Sequence, residues 1–111
     1  MTEVQGGTIT AKGIASTISF DGQIVTIRRT WAHRRGRGER KVPLSQISGV
    51  DVRKPDLLGA TGALTLVVPG SDHRRRWGGR RNERLDENTV EFGARRYRDF
   101  EAMQNAILAA L

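Results

Sequence analysis

A period-two pattern of inward positions marks the first predicted element of the chain. Four residues share one face at this spacing: Ile14, Ser16, Ile18 and Phe20. Such alternation is typical of a half-buried β-strand. Asp21-Gly22 follows, a strong hairpin signal because glycine tolerates the positive φ that a type I′ turn requires.

On the second strand of this hairpin, three apolar residues are expected to face inward: Val25, Ile27 and Trp31. Arg29 is the exception, because it places a charge at an inward position of the same pattern. Residues 14–31 are therefore predicted to form a β-hairpin.

The middle of the chain predicts further short strands separated by polar stretches. The strands are expected at Lys41-Val42, which Pro43 should either end or place at a sheet edge, and at 47–54, 63–68 and 89–93. Four residues are expected to face inward: Val50, Val52, Val90 and Phe92. Residues 32–40 and 71–87 are predicted to be basic, polar loops, and a turn is expected between Gly59 and Gly62. A short strand at 73–77 within the second loop is left open.

The hydrophobic period changes after Gly93. Apolar residues then recur at helical spacing: Phe100, Met103, Ile107 and Ala110. Asp99 and Glu101 lie near its start, where acidic side chains favour the positive end of the helix dipole. The pattern predicts an amphipathic helix over residues 96–110.

These elements predict a mainly β fold of one domain. Residues 1–12 are expected to be a polar lead-in, and residues 13–111 to form the domain, with strands from about 14 to 93. Short antiparallel strands need a cover for their apolar face, which the terminal helix supplies. A partly open antiparallel barrel of about seven strands closed by one C-terminal helix is the favoured arrangement. An OB-like barrel and a simple sheet with one helix are the alternatives.

Three segments also resemble a family. The hairpin from Ile18 to Ile27 is similar to the opening of short bacterial pleckstrin-homology-like domains, which occur in actinobacteria and their phages. Val42 to Val50 resembles the family's short strand and turn leading into isoleucine-x-x-valine, and Glu87 to Ile107 its last strand and closing helix. The resemblance covers about residues 13–110 and implies a seven-stranded barrel of unknown function with a binding or scaffolding role. The arginine-rich insert at 72–84 departs from the family pattern.

Composition narrows the choice of partner. The net charge of +7 favours polyanions by Coulomb attraction, although 16 of the 19 basic residues are arginine, which a GC-rich genome also enriches. Cysteine is absent, which excludes disulfides and thiolate metal sites and fits a reducing compartment. No secretory signal and no transmembrane segment are visible, so a cytoplasmic protein is expected.

The sequence offers little for catalysis. His33 and His73 each lie among arginines, without the spacing of a metal site or a catalytic triad. Gly36-Arg37-Gly38 lacks the third glycine and the strand-to-helix context of a phosphate-binding fingerprint. We therefore expect a non-enzymatic protein with no cofactor and no metal.

Two arginine-rich segments, at 31–41 and 73–84, carry the candidate ligand-binding residues. These are Arg34, Arg35, Arg37, Arg74, Arg75, Arg76, Trp77, Arg80 and Arg81. Guanidinium groups bind phosphates through two hydrogen bonds, and an indole stacks on a base or lies at a membrane interface. Trp31 is instead expected in the core, as the continuation of the Val25–Ile27 face. Strand direction brings the two segments to one end only if 73–77 forms a strand.

Three hypotheses for function follow. The leading one is a protein-interaction or scaffold module, since small β folds offer strand edges and loops to partners. The second is binding of nucleic acid or anionic lipid headgroups through the arginines. An unrecognised enzyme is the third. The oligomeric state is not predicted.

Overall fold

The computed structural model describes five stretches of the chain: residues 3–5, 7–29, 38–56, 61–70 and 87–111. Within them, eight strands precede one C-terminal α-helix. The strands are β1 (Glu3–Gln5), β2 (Thr8–Lys12), β3 (Ser16–Phe20), β4 (Ile24–Arg29), β5 (Gly38–Pro43), β6 (Gly49–Arg53), β7 (Gly62–Val67) and β8 (Thr89–Phe92). The helix, α1, spans Tyr97–Ala110, and short 3-10 turns occupy Leu44–Gln46 and Ala94–Arg96.

The strands form two antiparallel sheets. One contains β1 to β5 in chain order, and the other contains β6, β7 and β8 in chain order. The predicted mainly β class with a C-terminal helix is therefore confirmed. The described strands do not close into one continuous barrel, so the predicted barrel is not confirmed.

The two sheets meet where β8 runs across the ends of the strands of the larger sheet. Near its start, Glu87 and Thr89 accept hydrogen bonds from Arg29 at the end of β4. Two residues further on, the Glu91 carbonyl accepts a hydrogen bond of 2.8 Å from the N–H of Ile14, which lies between β2 and β3. Strand β8 therefore lies across the larger sheet, not alongside its strands.

The core lies between the sheets and is covered by α1. Val25 and Ile27 are fully buried, as the alternation predicts. On the helix, Phe100, Met103 and Ile107 are fully buried, and the ring of Phe100 stacks on Phe92 with 4.3 Å between centroids. Helix α1 is also joined to β6 by a 2.8 Å hydrogen bond from Gln104 to the Val50 carbonyl.

The predicted lead-in at residues 1–12 is wrong as to secondary structure, because β1 and β2 lie inside it. Strand β2 pairs along its length with β3. Its inward residue Ala11 is buried, and Ile9 packs against the core. Three polar residues, Thr8, Thr10 and Lys12, alternate with them. The strand was missed because its inward side chains are few and small.

Ile14 was predicted to face inward and is instead 47% exposed. It precedes β3, in the turn that joins β2 to β3. Ala15, the next residue, has a left-handed backbone with φ 57°. That conformation interrupts the alternation, so the period-two pattern holds only from Ser16 onward.

The first predicted hairpin is confirmed for β3 and β4, with Phe20 opposite Val25. Its turn lies one residue later than predicted: the Asp21 N–H donates to the Ile24 carbonyl, which leaves Gly22 and Gln23 as the central residues. Gly22 has φ 100°, and Gln23 is not among the positive-φ residues. Positive φ at the first central position alone is the pattern of a type II′ turn.

The Asp21 carboxylate caps this turn. It accepts hydrogen bonds from the backbone N–H groups of Gln23 and Ile24, at 2.9 and 2.8 Å. Because these bonds favour the ionised carboxylate, chiefly the one from Ile24, they lower the pKa of Asp21.

Other predicted boundaries shift by a few residues. Residues 38–40, predicted as loop, belong to β5, where Arg28 pairs with Glu39 across the strands. Val52 is half-buried, and Thr89, predicted to face outward, is buried. Helix α1 begins at Tyr97, and Ala110 is exposed because the helix extends past the core. The predictions for Trp31, Gly59 and 73–77 lie outside the described residues.

No helix in the described part of the chain is both long and apolar enough to cross a membrane.

Candidate functional site

All nine candidate ligand-binding residues lie outside the described residues, as do His33 and His73. They fall in two stretches, 30–37 and 71–86, which we call the two arginine stretches. The structure describes the residues that flank these stretches, and their contacts define the candidate site.

Arg29, the last described residue before the first stretch, joins the two sheets. Its Nη2 donates to the Glu87 carbonyl at 2.9 Å and to the Thr89 carbonyl at 3.1 Å. The strand register explains this direction, because Arg29 lies opposite Ser16, which is buried, and so belongs to the inward face of β4. One guanidinium thus binds two carbonyls of the segment that follows the second stretch.

Arg40, three residues after the first stretch, makes a second link of the same kind. It lies opposite Ile27 and so also belongs to the inward face. Its Nε donates to Asn88 Oδ1 at 2.6 Å, and its Nη1 lies 3.6 Å from Glu87 Oε1. Asn88 is fully buried, and its carbonyl accepts a 2.9 Å hydrogen bond from the Leu66 N–H. Arg40 thereby links β5 to the start of β8.

The core turns polar at this end. The hydroxyls of Thr65 and Thr89 are 2.9 Å apart and buried between β7 and β8. Asn88 directly precedes Thr89 in the sequence, and Arg29 donates to the Thr89 carbonyl. Because polar groups are costly to bury without hydrogen bonds, this network fixes the position of β8 against the larger sheet.

Both flanks of the first arginine stretch therefore lie close to the residue that follows the second stretch. Arg29 and Gly38, which border the first stretch, are paired across β4 and β5. Glu87, which follows the second stretch, is bound by both Arg29 and Arg40. The expectation that strand direction decides whether the two segments share one end assumed a simple meander of strands. It does not apply here, because β8 crosses the ends of the strands of the larger sheet.

The outward face of the same strands is close to electrically balanced. Arg28 donates to Glu39 Oε2 from Nε at 3.1 Å and from Nη2 at 2.7 Å, and Lys41 lies 3.8 Å from Glu39 Oε1. The hydrogen bond from Arg28 lowers the pKa of Glu39. This exposed cluster holds two cations and one anion, so it contributes little to the net charge.

The net charge is concentrated in the two arginine stretches. Together they contain nine arginines and three acidic residues, a net charge of +6, against +7 for the whole chain. The rest of the protein is thus nearly neutral.

Sequence reasoning did not select Arg29 and Arg40 as site residues. The signal for Arg29 was present, because it is a charge at an inward position of an otherwise apolar strand face. Arg40 gave no such signal, since residues 38–40 were assigned to a loop. Among the described residues, no group of three or more metal-ligating side chains is found.

Fold and site together define a small β domain with a C-terminal helix. Its two sheets are joined by Arg29 and Arg40, which lie beside the first basic stretch and bind the segment that follows the second. The chain belongs to a family described as a domain of unknown function, DUF4429, whose model matches residues 18–108. The match runs from the middle of β3 through most of α1 and includes both arginine stretches. No curated protein and no solved structure matches the chain.

Proposed function

We propose that this protein is a non-catalytic binding module for phosphate-bearing polyanions, and that the end of the domain carrying both arginine stretches is its binding site. The two stretches supply the charge, and the network of Arg29, Arg40 and Asn88 holds their flanks together. Nucleic acids and anionic lipid headgroups share the phosphate chemistry that this site would recognise.

One observation carries the proposal: the guanidinium of Arg29 binds the carbonyls of Glu87 and Thr89. This contact joins the flank of one arginine stretch to the flank of the other. Two basic stretches tethered in this way present a higher local positive potential than the same charges spread over the surface. Arginine suits the task because its planar group binds phosphate through two hydrogen bonds.

Kinship with pleckstrin-homology-like domains is part of the proposal. The strands β2 to β5 and β6 to β8, followed by α1, give an arrangement of four plus three strands with a C-terminal helix, to which β1 is an addition. The resemblance implies seven strands and a C-terminal helix, and these numbers support the proposed kinship.

A protein partner that adds a strand to β5 is the second candidate. Strand β5 pairs with β4 on one side, which leaves its other side as an edge among the described strands. However, Glu39, Arg40 and Lys41 are charged, and Pro43 cannot donate a backbone hydrogen bond. Charged residues and proline are common means of protecting a sheet edge from strand addition, so the observations favour the polyanion.

Binding as a function of salt tests the proposal. The probes are a DNA duplex, single-stranded RNA, and vesicles with and without anionic lipid. Replacing five arginines with glutamine should weaken binding and flatten its salt dependence: Arg74, Arg75, Arg76, Arg80 and Arg81. For duplex DNA the log–log slope falls by about 0.9 for each phosphate that the variant no longer binds.

Two double variants that remove the same charge distinguish the effect of the proposed site from the effect of the protein's overall charge. Arg75→Gln with Arg80→Gln removes the same charge as Arg95→Gln with Arg98→Gln, and Arg95 and Arg98 are exposed residues outside the proposed site. Only the first pair should weaken binding markedly. A wild-type protein that binds none of the probes at low salt, where screening is weakest, would overturn the proposal and leave a protein partner as the explanation.

A further inference from the structure

Three of the four edge strands in the two sheets are protected, each in a different way. The edge of β5 bears three charged residues and a proline. At β6, the Val50 carbonyl accepts a hydrogen bond from Gln104 of α1. At β8, the Glu91 carbonyl accepts a hydrogen bond from the Ile14 N–H. Features of this kind keep an edge strand from pairing with another chain.

Strand β1 is the fourth edge, and among the described strands it pairs with β2 alone. Its sequence, Glu3–Gln5, contains no proline and no lysine. Gln5 lies opposite Thr8 across a turn of two residues, so these two residues share the hydrogen bonds that close the hairpin. Because hydrogen-bonded and non-hydrogen-bonded pairs alternate along an antiparallel ladder, the N–H and C=O of Val4 point away from β2. The open edge therefore offers a donor and an acceptor at Val4.

The distribution of charge makes this edge suitable for a second copy of the protein. Two copies, each with a net charge of +7, repel one another. However, residues 1–11 contain no lysine or arginine, and their one acidic residue is Glu3. Strand β1 is also three strands away from β4, after which the first arginine stretch begins, a separation of about 14 Å. Two cationic copies therefore meet little repulsion when they approach through β1.

The sequence of β1 is complementary to itself in an antiparallel pair. When the pair is centred on Val4, the Val4 residues of the two copies donate to each other's carbonyls. Glu3 of each copy then lies opposite Gln5 of the other, so a carboxylate faces an amide. A pair centred on Glu3 would instead place two carboxylates opposite each other, which is unfavourable.

We propose that two copies of this protein pair through β1, which joins their five-stranded sheets into one continuous antiparallel sheet. The contact uses the same strand on both copies, so it closes at a dimer, and the protected β5 edges prevent further growth. Three described residues of each copy take part, so the interface is small, and the dissociation constant should be on the order of 0.1 mM. The pairing does not depend on polyanion binding.

Sedimentation equilibrium tests the pairing, at concentrations from about tenfold below to about tenfold above this dissociation constant. The mean mass of the wild type should rise from that of one chain towards that of two. Val4→Pro should stay monomeric, because proline lacks the outward N–H but leaves the pairing with β2 intact. Val4→Thr is the matched control, since it keeps both the N–H and a β-branched side chain, and it should associate as the wild type does. Both variants should keep the wild-type melting temperature.

The salt dependence should be opposite to that of polyanion binding. Salt screens the repulsion between two cationic copies, so the association should strengthen as the salt concentration rises. Binding of a polyanion weakens under the same conditions.

Disulfide cross-linking tests the register independently of these variants. The chain has no cysteine, so each introduced thiol is unique. A mixture of Glu3→Cys and Gln5→Cys chains places two thiols at directly opposed positions, with Cα atoms about 4.5 Å apart, within the range of a disulfide. In Glu3→Cys alone, the two cysteines are about 8 Å apart, which is too far. Mild oxidation should therefore cross-link the mixture efficiently and Glu3→Cys alone poorly.

Three results would overturn the proposal. The first is a wild-type mass that remains that of one chain at the highest concentration and at high salt. The second is association that Val4→Pro leaves unchanged. The third is cross-linking of Glu3→Cys alone that equals cross-linking of the mixture, since random collisions would then account for both.

Discussion

Replacing Arg29 with methionine should destabilise the protein, because the change removes one of the two arginine side chains that join the two sheets. The guanidinium donates two hydrogen bonds to backbone carbonyls, those of Glu87 and Thr89. A hydrogen bond to a charged group contributes about 1.5–3 kcal/mol. Because Arg29 is half-buried and one nitrogen donates both bonds, we expect the free energy of unfolding to fall by about 2–3 kcal/mol in total.

Urea denaturation followed by circular dichroism measures this change. For a domain of this size the melting temperature should fall by about 8–12 °C. Arg28→Met is the matched control, because Arg28 is the adjacent residue, faces outward and has a side chain that is 71% exposed in its pair with Glu39. An exposed ion pair contributes about 0–1 kcal/mol, so this variant should remain close to wild type.

Arg29→Lys separates charge from geometry. Lysine keeps the positive charge but replaces the planar guanidinium, whose Nη2 donates to both carbonyls, with an ammonium on a chain of different length and shape. If the tether orders the binding site, this variant should lose both stability and affinity for anionic probes although its net charge is unchanged. Equal unfolding free energies for Arg29→Met and Arg28→Met would refute the role assigned to Arg29.

Two further predictions concern the core and the first turn. Phe100→Ala should cost about 3–5 kcal/mol in urea denaturation, because Phe100 is fully buried and stacks on Phe92; a change below about 1 kcal/mol would contradict the docking of α1 described here. Asp21→Ala should destabilise the protein at neutral pH. Since the native pKa of Asp21 is lowered, its stabilisation is present above the ordinary aspartate value of 3.8 and is lost as the pH falls through the native pKa. The gap between wild type and variant should therefore narrow as the pH falls through the native pKa, and a gap that stays constant as the pH is lowered below 3.8 would exclude the carboxylate as its cause.

The sequence was informative wherever hydrophobic periodicity continued over several turns or strand positions. Val25, Ile27, Phe100, Met103 and Ile107 were all expected in the core, and all are fully buried. Side chains return to the same face every two residues in a strand and every 3.6 residues in a helix. An element that is buried on one side therefore shows this period in its hydrophobic residues, and a single sequence is enough to predict it.

Elements whose inward residues are small or polar could not be predicted from the sequence, because they show no clear hydrophobic periodicity. Strand β2 offers only Ile9 and Ala11 on its inner side, and its outer side is rich in threonine. The division into two sheets was equally hidden, since it depends on side chains that meet across the molecule. The Arg40–Asn88 hydrogen bond, for example, joins residues 48 positions apart.

Arg29 shows how such an interaction can still leave a trace in the sequence. A charge at an inward strand position is costly unless another part of the chain supplies hydrogen-bond acceptors. The alternation of β4 therefore implied that something polar must approach its last residue. The structure identifies these acceptors as the carbonyls of Glu87 and Thr89. The residue that broke the hydrophobic pattern is thus one of those that fix where β8 crosses the larger sheet, together with Arg40 and the backbone bond from Ile14 to Glu91.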